Sequence, residues 1–501
     1  DQEPVAYIRL PTPGGAYTLS YLPGRYYVSA FVDFNGSSGP PDTNELLTYY
    51  DGNGDGLPDL VDVLTQTATL DFALGQIIYV DASASGDNNG TSWADAYPDL
   101  SSALAVAPAN AEIWLAEGTY TPGTNREDSF TLKNNVAIYG GFAGDEQWRQ
   151  ERNFAQNAAI LSGDIGTAGV KTDNSYHVVT SSETDHTAVL DGVIISGGYA
   201  NSEGFHDKGG GILNINGSPT LANLRLLDNY AMNHGAGMVN VGTEATPTLI
   251  NCEFSGNRTT FNGALANLND ANPTLINATL TGNLGGNSGG VANISSHATL
   301  INTVLWGNQG PEISLQLGAT ISVSHSIVAG GYAGVGNLSG DPLFVDADGA
   351  DGVFGTLDDD LHLQAGSPAI DAGDNTAVPP DSGDSDGDAD VLEPFPFDRD
   401  QQARHINDPD TPDSGHGTAP LVDIGADEFV LTEPSGLSVL NNSPTLLGTA
   451  TSFTATVQSG NSLVYAWAFG DGQVGSGAQV SHTYALPGLY TAVVTVSNSL
   501  G

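Results

Sequence analysis

Residues 209–310 read GGGILNINGSPTLANLRLLDNYAMNHGAGMVNVGTEATPTLINCEFSGNRTTFNGALANLNDANPTLINATLTGNLGGNSGGVANISSHATLINTVLWGNQG. Cut into four copies, the stretch shows three asparagine columns. Asn214, Asn240, Asn267 and Asn293 follow the entries GGGIL, GAGMV, GALA and GGVA. Asn223, Asn251, Asn277 and Asn302 follow PTLA, PTLI, PTLI and ATLI, while Asn229, Asn257, Asn283 and Asn308 close LLDN, FSGN, LTGN and LWGN. The third column lies six residues after the second in every copy, but the first-to-second gap runs from nine to eleven, which places insertions such as residues 242–246 at one corner. Short strands repeating every ~25–28 residues cannot bury an apolar face alone and must stack on their neighbours. Asparagine suits the corners because it tolerates left-handed backbone, and its amide can bond to the same amide one coil above, forming a ladder. Between corners, Leu226, Phe254, Leu280 and Leu305 form one column and Leu224, Cys252, Ala278 and Thr303 another; both read as interior stacks. Cys252, the single cysteine, is then a small buried filler, and its solitude excludes an internal disulfide framework or a cysteine-rich zinc site.

These copies resemble the GGAI and FxxN repeats of chlamydial polymorphic outer-membrane proteins, here as Gly210-Gly211-Ile212 and Phe254-Ser255-Gly256-Asn257. The resemblance implies a right-handed parallel β-helix. Residues 78–166, with IYVDASASGDNNGTSWADAYPDLSSALAVA, EIWLAEGTYTP, VAIYGGFAG and AILSGDIG, are similar to the opening of many bacterial surface β-helix proteins. That likeness implies a short helix within about residues 95–108 plugging the first coil, and Leu100, Ala103, Leu104 and Ala107 are spaced for one apolar face. A cap is needed because an open solenoid end presents unpaired strands.

Residues 341–429, with DPLFVDADGADGVFGTLDDDLHLQAGSPAIDAGD and VDIGADEF, resemble the choice-of-anchor Q module found at the C-terminal end of such helices in secreted or surface-anchored bacterial proteins. The last 70 residues resemble a PKD domain, an immunoglobulin-like sandwich, through Trp467, Gly470, Asp471, Gly472, His482, Tyr484, Pro487, Gly488 and Tyr490 in order. The first 76 are similar to the later part of a carboxypeptidase-regulatory-like, transthyretin-type sandwich, with Gly15, Tyr17, Leu19, Leu22, Pro23, Gly24, Tyr26, Tyr27, Val28 and Phe31 matching and the opening one or two strands missing. The expectation is an all-β chain: a β-sandwich at 1–76, a β-helix at 77–430 ending in an acidic-loop module at about 341–430, and a PKD domain at 431–501. With residues 78–429 as one solenoid, coils ~4.8 Å apart would make a rod roughly 60 Å long.

Composition narrows function. Against 58 acidic residues stand 12 basic ones, a net charge of -46 that argues against nucleic acid or anionic lipid as a partner. Aspartate outnumbers glutamate roughly threefold and clusters in glycine-rich loops, where short carboxylates converge on hard cations, so calcium is the expected cofactor. No apolar run reaches the ~18 residues that span a membrane, and no signal-peptide pattern precedes Asp1.

The sharpest local motif is DGNGDGLPDLVD at residues 51–62. Asp51, Asn53, Asp55, the Leu57 carbonyl, Asp59 and Asp62 fall at the ligand positions of an EF-hand loop, with Gly56 at its sharp turn. The flanks read as strand and turn, as in thrombospondin-like and dockerin-like repeats, and Asp62 replaces the usual bidentate glutamate. Two further acidic loops are expected to close around cations: Asp346, Asp348, Asp351, Asp358, Asp359 and Asp360, and Asp381, Asp384, Asp386, Asp388, Asp390 and Glu393.

Catalysis on such a scaffold would need more. A polysaccharide lyase needs a Lys or Arg base beside carboxylate-bound calcium, and the clear repeat holds only Lys208, Arg225 and Arg258. Arg225 and Glu253 share an outward column and read as an exposed ion pair. A polygalacturonase-like hydrolase needs paired acids plus a Gly-His-Gly on adjoining strands, for which Asp358-Asp359-Asp360 and Gly415-His416-Gly417 are the candidates. His177, His186, His206, His234, His297 and His325 read as isolated, and the five tryptophans, Trp93, Trp114, Trp148, Trp306 and Trp467, lie in five different phrases that suggest no sugar-stacking platform. The reading is a calcium-stabilised, non-enzymatic, extracellular or cell-surface structural or adhesive protein. Two partners are expected: its own copies, joined head to tail by strand complementation into a filament, and surface or extracellular polysaccharide. The alternative is a polysaccharide-active enzyme.

Overall fold

The computed structural model describes residues 76–381, 385 and 391–500, together with the backbone of four short strands nearer the N-terminus. Those four are Gly24–Tyr27, paired antiparallel with Leu60–Val63, and Ser29–Val32, paired antiparallel with Leu46–Tyr49.

From Ile77 to Val328 the chain coils through three parallel sheets of nine, eight and seven strands. This is the expected parallel β-helix. In one repeat the chain runs through Ile212–Ile215 in the third sheet, Thr220–Ala222 in the first and Arg225–Leu227 in the second, then returns to the third at Met238–Val241. The register is one-to-one: Asn214 faces Asn240, Leu221 faces Leu249 and Leu226 faces Phe254. Leu226, Phe254, Leu280 and Leu305 are fully buried inside the coil, as are Leu224, Cys252, Ala278 and Thr303. Burial pushes the Cys252 thiol up to about 12, consistent with an inert filler.

The asparagine columns divide into two kinds. Asn223, Asn251, Asn277 and Asn302 are the left-handed corners, with φ of 51, 51, 52 and 52°. Asn214, Asn240, Asn267 and Asn293 are not corners: they lie within third-sheet strands and point inward, and the left-handed turn falls two residues later, at Asn216, Gly242, Asn269 and Ser295. In the remaining column the left-handed residue is the one before the asparagine, namely Asp228, Gly256, Gly282 and Gly307.

The first coil is closed as expected. Helix Leu100–Val106 is N-capped by Asp99, whose carboxylate accepts from the Ser102 N–H at 2.7 Å, and it buries Leu100, Ala103 and Leu104 against the first strands.

The far end departs from expectation. Beyond Val328 the described residues add to the column only a single parallel bridge, Leu338 against Ile327, so nine strands at ~4.8 Å make a column of roughly 40 Å rather than 60 Å. The described residues between 341 and 430 instead fold back along the outer flank of the second sheet. Gly425 N–H donates to the Asn302 carbonyl at 3.0 Å, Ser255 Oγ to Asp359 at 2.7 Å and Gln401 Nε2 to the Arg152 carbonyl at 2.8 Å. Val304 and Ile327, on the outside of the second sheet, are buried against Leu363, Ala369, Ile370, Ile424 and Phe429. Beyond the module, two antiparallel three-stranded sheets form the last domain.

Candidate functional site

The surface where the acidic module meets the helix holds a dense buried charge network. Arg225 Nε lies 2.8 Å from Glu253 Oε2, as the shared column suggested, but Glu253 is fully buried, so this pair is not exposed. The cause is the module, which lays Arg399 over the same carboxylate, 3.6 Å away. Arg399 also meets Asp427 at 2.9 Å and Asp400 at 3.2 Å, and Asp400 in turn holds His362 at 2.7 Å. A second knot surrounds Arg404. Its Nε lies 3.1 Å from Glu428, and its other nitrogens donate to the carbonyls of Gly425 and Ala426. Asp423 accepts from the N–H groups of Asp371 and Phe429 at 2.7 and 2.6 Å, and Asp398 from those of Asp400, Gln402 and Glu428 at 2.8–2.9 Å. The acids of VDIGADEF are thus internal clasps that fix backbone and arginine, not solvated loop residues.

Burial sets their proton affinities. It pushes Asp423 up to about 7 and Asp371 to about 6, and burial followed by the nearby Asp427 charge pushes Asp398 to about 6. A carboxyl raised above its unfolded value near 3.9 takes up a proton on folding; its contribution is full below that value and is lost as pH rises through 6–7. His362 is raised to about 10, first by its bond to Asp400, whose own carboxyl Arg399 and His362 bring down to about 2 against burial. That pair contributes fully between about pH 4 and 6.5 and is lost only as pH rises through 10 or falls through 2. The thermal midpoint of the chain should therefore be higher at pH 5 than at pH 8, by at least about 4 °C, and Asp423→Asn should shrink that difference. A midpoint equal or higher at pH 8 in a calorimetric series would contradict this account.

The expected cation loops are distributed as follows. Positions 51–59 lie outside the described residues, while Asp62 falls in the strand Leu60–Val63 opposite Arg25. Asp384, Asp386, Asp388 and Asp390 also lie outside the described residues; Asp381 accepts from Ser385 Oγ at 2.8 Å, and Glu393 pairs through its carbonyl with the Asp381 N–H at 2.7 Å. In the remaining loop the carboxylates of Asp351, Asp358, Asp359 and Asp360 are turned onto protein donors. Asp351 accepts from the Val353 N–H at 2.8 Å, Asp358 from Thr356 Oγ1 at 2.5 Å, Asp359 from Ser255 and the Gly355 N–H, and Asp360 meets His362 at 2.7 Å. Asp346 pairs with Asp360 in a short antiparallel ladder, and the Asp348 carbonyl accepts from the Val353 N–H. Among the described residues, no group of three His, Cys, Asp or Glu side chains is arranged to hold a metal ion.

The histidines are less isolated than expected. His177 and His206 stack with centroids 5.3 Å apart, and burial lowers His177 to about 4, so it is neutral. His325 and His416 stack at 5.8 Å, and His416 of the Gly-His-Gly bonds Asp374 at 2.9 Å, not any of Asp358, Asp359 or Asp360. Two tryptophans also converge: Trp93 and Trp114, with Tyr79 and Phe142, form an aromatic cluster in which Trp114 is buried. Tyr79 and Trp93 are half-buried at its margin.

In the last domain, Trp467 is buried and donates to the Gly477 carbonyl at 2.9 Å, Tyr484 donates to the Phe469 carbonyl at 2.9 Å, and His482 bonds Asp471 at 2.7 Å while stacking on Phe469. These are the residues of the WAFGDG and HTY phrases, each with a packing role. Residues 436–501 match the family model of the PKD domain. No curated protein matches the chain. Among solved structures the chain is similar to a rhamnogalacturonan lyase, at 13% identity over 50% of this chain and 68% of that one, with a TM-score of 0.35. It is also similar to pectin methylesterase PemA from Erwinia chrysanthemi (10%, 52% and 92%, 0.31) and to pectate lyase Pel9A (16%, 71% and 96%, 0.28). Likenesses of this size carry no argument about chemistry.

Proposed function

We propose that the chain is a non-enzymatic structural or adhesive protein working outside the cell, stabilised by calcium and able to associate with its own copies. The observation that carries this reading is the engagement of two of the repeat's three cations. Arg225 is locked on Glu253 and Lys208 on Asp207, which leaves neither as a free base above a substrate face. Arg258 stands exposed in the strand Arg258–Thr259, between Tyr230 on one side and Leu284 on the other. A PKD domain on the end of a stacked β-column suits display and spacing, and the acidic surface suits a cation-rich exterior. Incubation with pectin and alginate tests the point directly: release of unsaturated or reducing ends by the purified protein would overturn it.

Calcium belongs to the same reading on the strength of the ligand register at residues 51–62. An ion present at about 100 times its dissociation constant adds ~2.7 kcal/mol to the folded state. Chelator should therefore lower the thermal midpoint, and Asp55→Ala should abolish the chelator effect. An unchanged midpoint with chelator would remove calcium from the account.

A further inference from the structure

We propose that residues 5–10 of one copy add as a strand to the open side of the PKD domain of the next copy. The inference deepens the self-association reading above and rests on it. The PKD domain exposes unusual apolar surface: Leu440, Leu446, Leu447, Leu486 and Leu489 are all more than 60% exposed, while its buried apolar core is only Phe453, Ala455, Trp467 and Phe469. Isolated exposed leucines need no explanation, but a contiguous set does. Here Leu446, Leu447, Leu486 and Leu489 line one groove of about 720 Å³ that reaches down to Phe453 and Trp467. Val439 and Asn441 form its other margin. They belong to Ser438–Asn441, the outermost strand of its three-stranded sheet, so the groove runs beside a strand edge able to accept another strand.

Charge selects the occupant. No charged residue lines the groove, and Asp471 is the single Asp, Glu, Lys or Arg in residues 436–501. In a chain of net charge -46, two copies repel wherever their acidic surfaces meet, and contact is favoured where a neutral surface meets a neutral or basic segment. The sequence contains such a segment near its start: between Glu3 and Asp33 there are two arginines, Arg9 and Arg25, and no acid. Within it, residues 5–10 read VAYIRL, with Ala6, Ile8 and Leu10 on one face of an extended strand. Pro4 precedes this strand-length piece and PTPGG, a linker composition, follows it at residues 11–15. A contact between this segment of one copy and the PKD domain of the next is heterologous and propagates as a filament.

The full chain tests this by sedimentation and electron microscopy, with a peptide of residues 4–13 as probe. Wild type should associate with rising concentration, and Ile8→Asp and Leu489→Asp should each weaken association by at least about tenfold. Leu489 is fully exposed, so its substitution should leave the thermal midpoint unchanged. The peptide should bind the Ile8→Asp chain and not the Leu489→Asp chain. Oligomers that survive both substitutions would overturn this surface while leaving self-association standing; monomers at every concentration that also ignore the peptide would overturn both. Peptide binding by a wild type that stays monomeric would place the segment in its own copy's groove, and alginate or pectin fragments bound by wild type but not by Leu489→Asp would make the groove a glycan site. Either result overturns the strand-addition proposal.

Discussion

Arg404→Ala should destabilise the chain by ~3–5 kcal/mol, the cost of leaving buried charge uncompensated. Arg404 is fully buried, with Glu428 3.1 Å from its Nε and Asp423 and Asp398 close by in the same knot. Removing the guanidinium strands Glu428 and leaves the Gly425 carbonyl without its donor, while the Ala426 carbonyl keeps only the Arg399 N–H at 3.1 Å. Those carbonyls sit on the strip that docks on the helix, where Gly425 N–H bonds Asn302 and Ala426 N–H bonds Thr279. The loss should therefore appear as release of the module from the flank, seen as proteolytic cleavage within residues 341–430 before the column melts. Arg404→Lys keeps the charge but not the planar fork and should recover part of the loss. The double change Arg404→Met with Glu428→Leu should cost less than Arg404→Ala, because it removes the stranded carboxylate too. A single variant as stable as wild type in urea titration would show that the knot is solvated.

The same flank explains why the sequence disclosed the column and hid the clasp. A repeat writes itself as period, and the interior stacks at Leu226 and Phe254 are spaced by one coil, so alternation assigns them inward. Alternation says nothing of what lies outside a sheet. Glu253 points outward and therefore reads as exposed, yet it is buried because Arg399, 146 residues later in sequence, covers it. Contacts such as Ser255 to Asp359 leave no local signature, and the acids of the module look the same whether they bind a cation, water or a backbone N–H. The cap helix was legible because Asp99, Leu100, Ala103 and Leu104 are local to one another. The first asparagine column was misplaced for a related reason: a strand asparagine that ladders inward and a corner asparagine that adopts left-handed backbone recur with the same period. Only the backbone angle separates them.

Asn257→Asp should cost ~3 kcal/mol or more, although it changes one atom and no volume. Asn257 is fully buried in the ladder. Its amide nitrogen donates to the Leu226 carbonyl at 2.7 Å and to Asn283 Oδ1 at 3.0 Å, and its oxygen accepts from Asn229 Nδ2 at 3.1 Å and the Asn229 N–H at 3.2 Å. The nitrogen also reaches the Ser255 carbonyl at 3.2 Å. Aspartate keeps the acceptor and replaces the donor, so three acceptors then face oxygen in a dry site; each broken buried bond costs about 1–3 kcal/mol. Protonation restores one donor, so the defect should shrink as pH falls below about 5. Position along the ladder grades the effect. Asn308, at the end, has asparagine on one side only and bonds Glu312 on the other at 2.6 Å, so Asn308→Asp should place two carboxylates together and show a steeper dependence on pH. Equal, pH-independent losses at both positions would mean that the amides act as separate caps on each coil. A larger pH dependence at residue 308 would show that the ladder is read end to end, as its donor-to-acceptor direction requires.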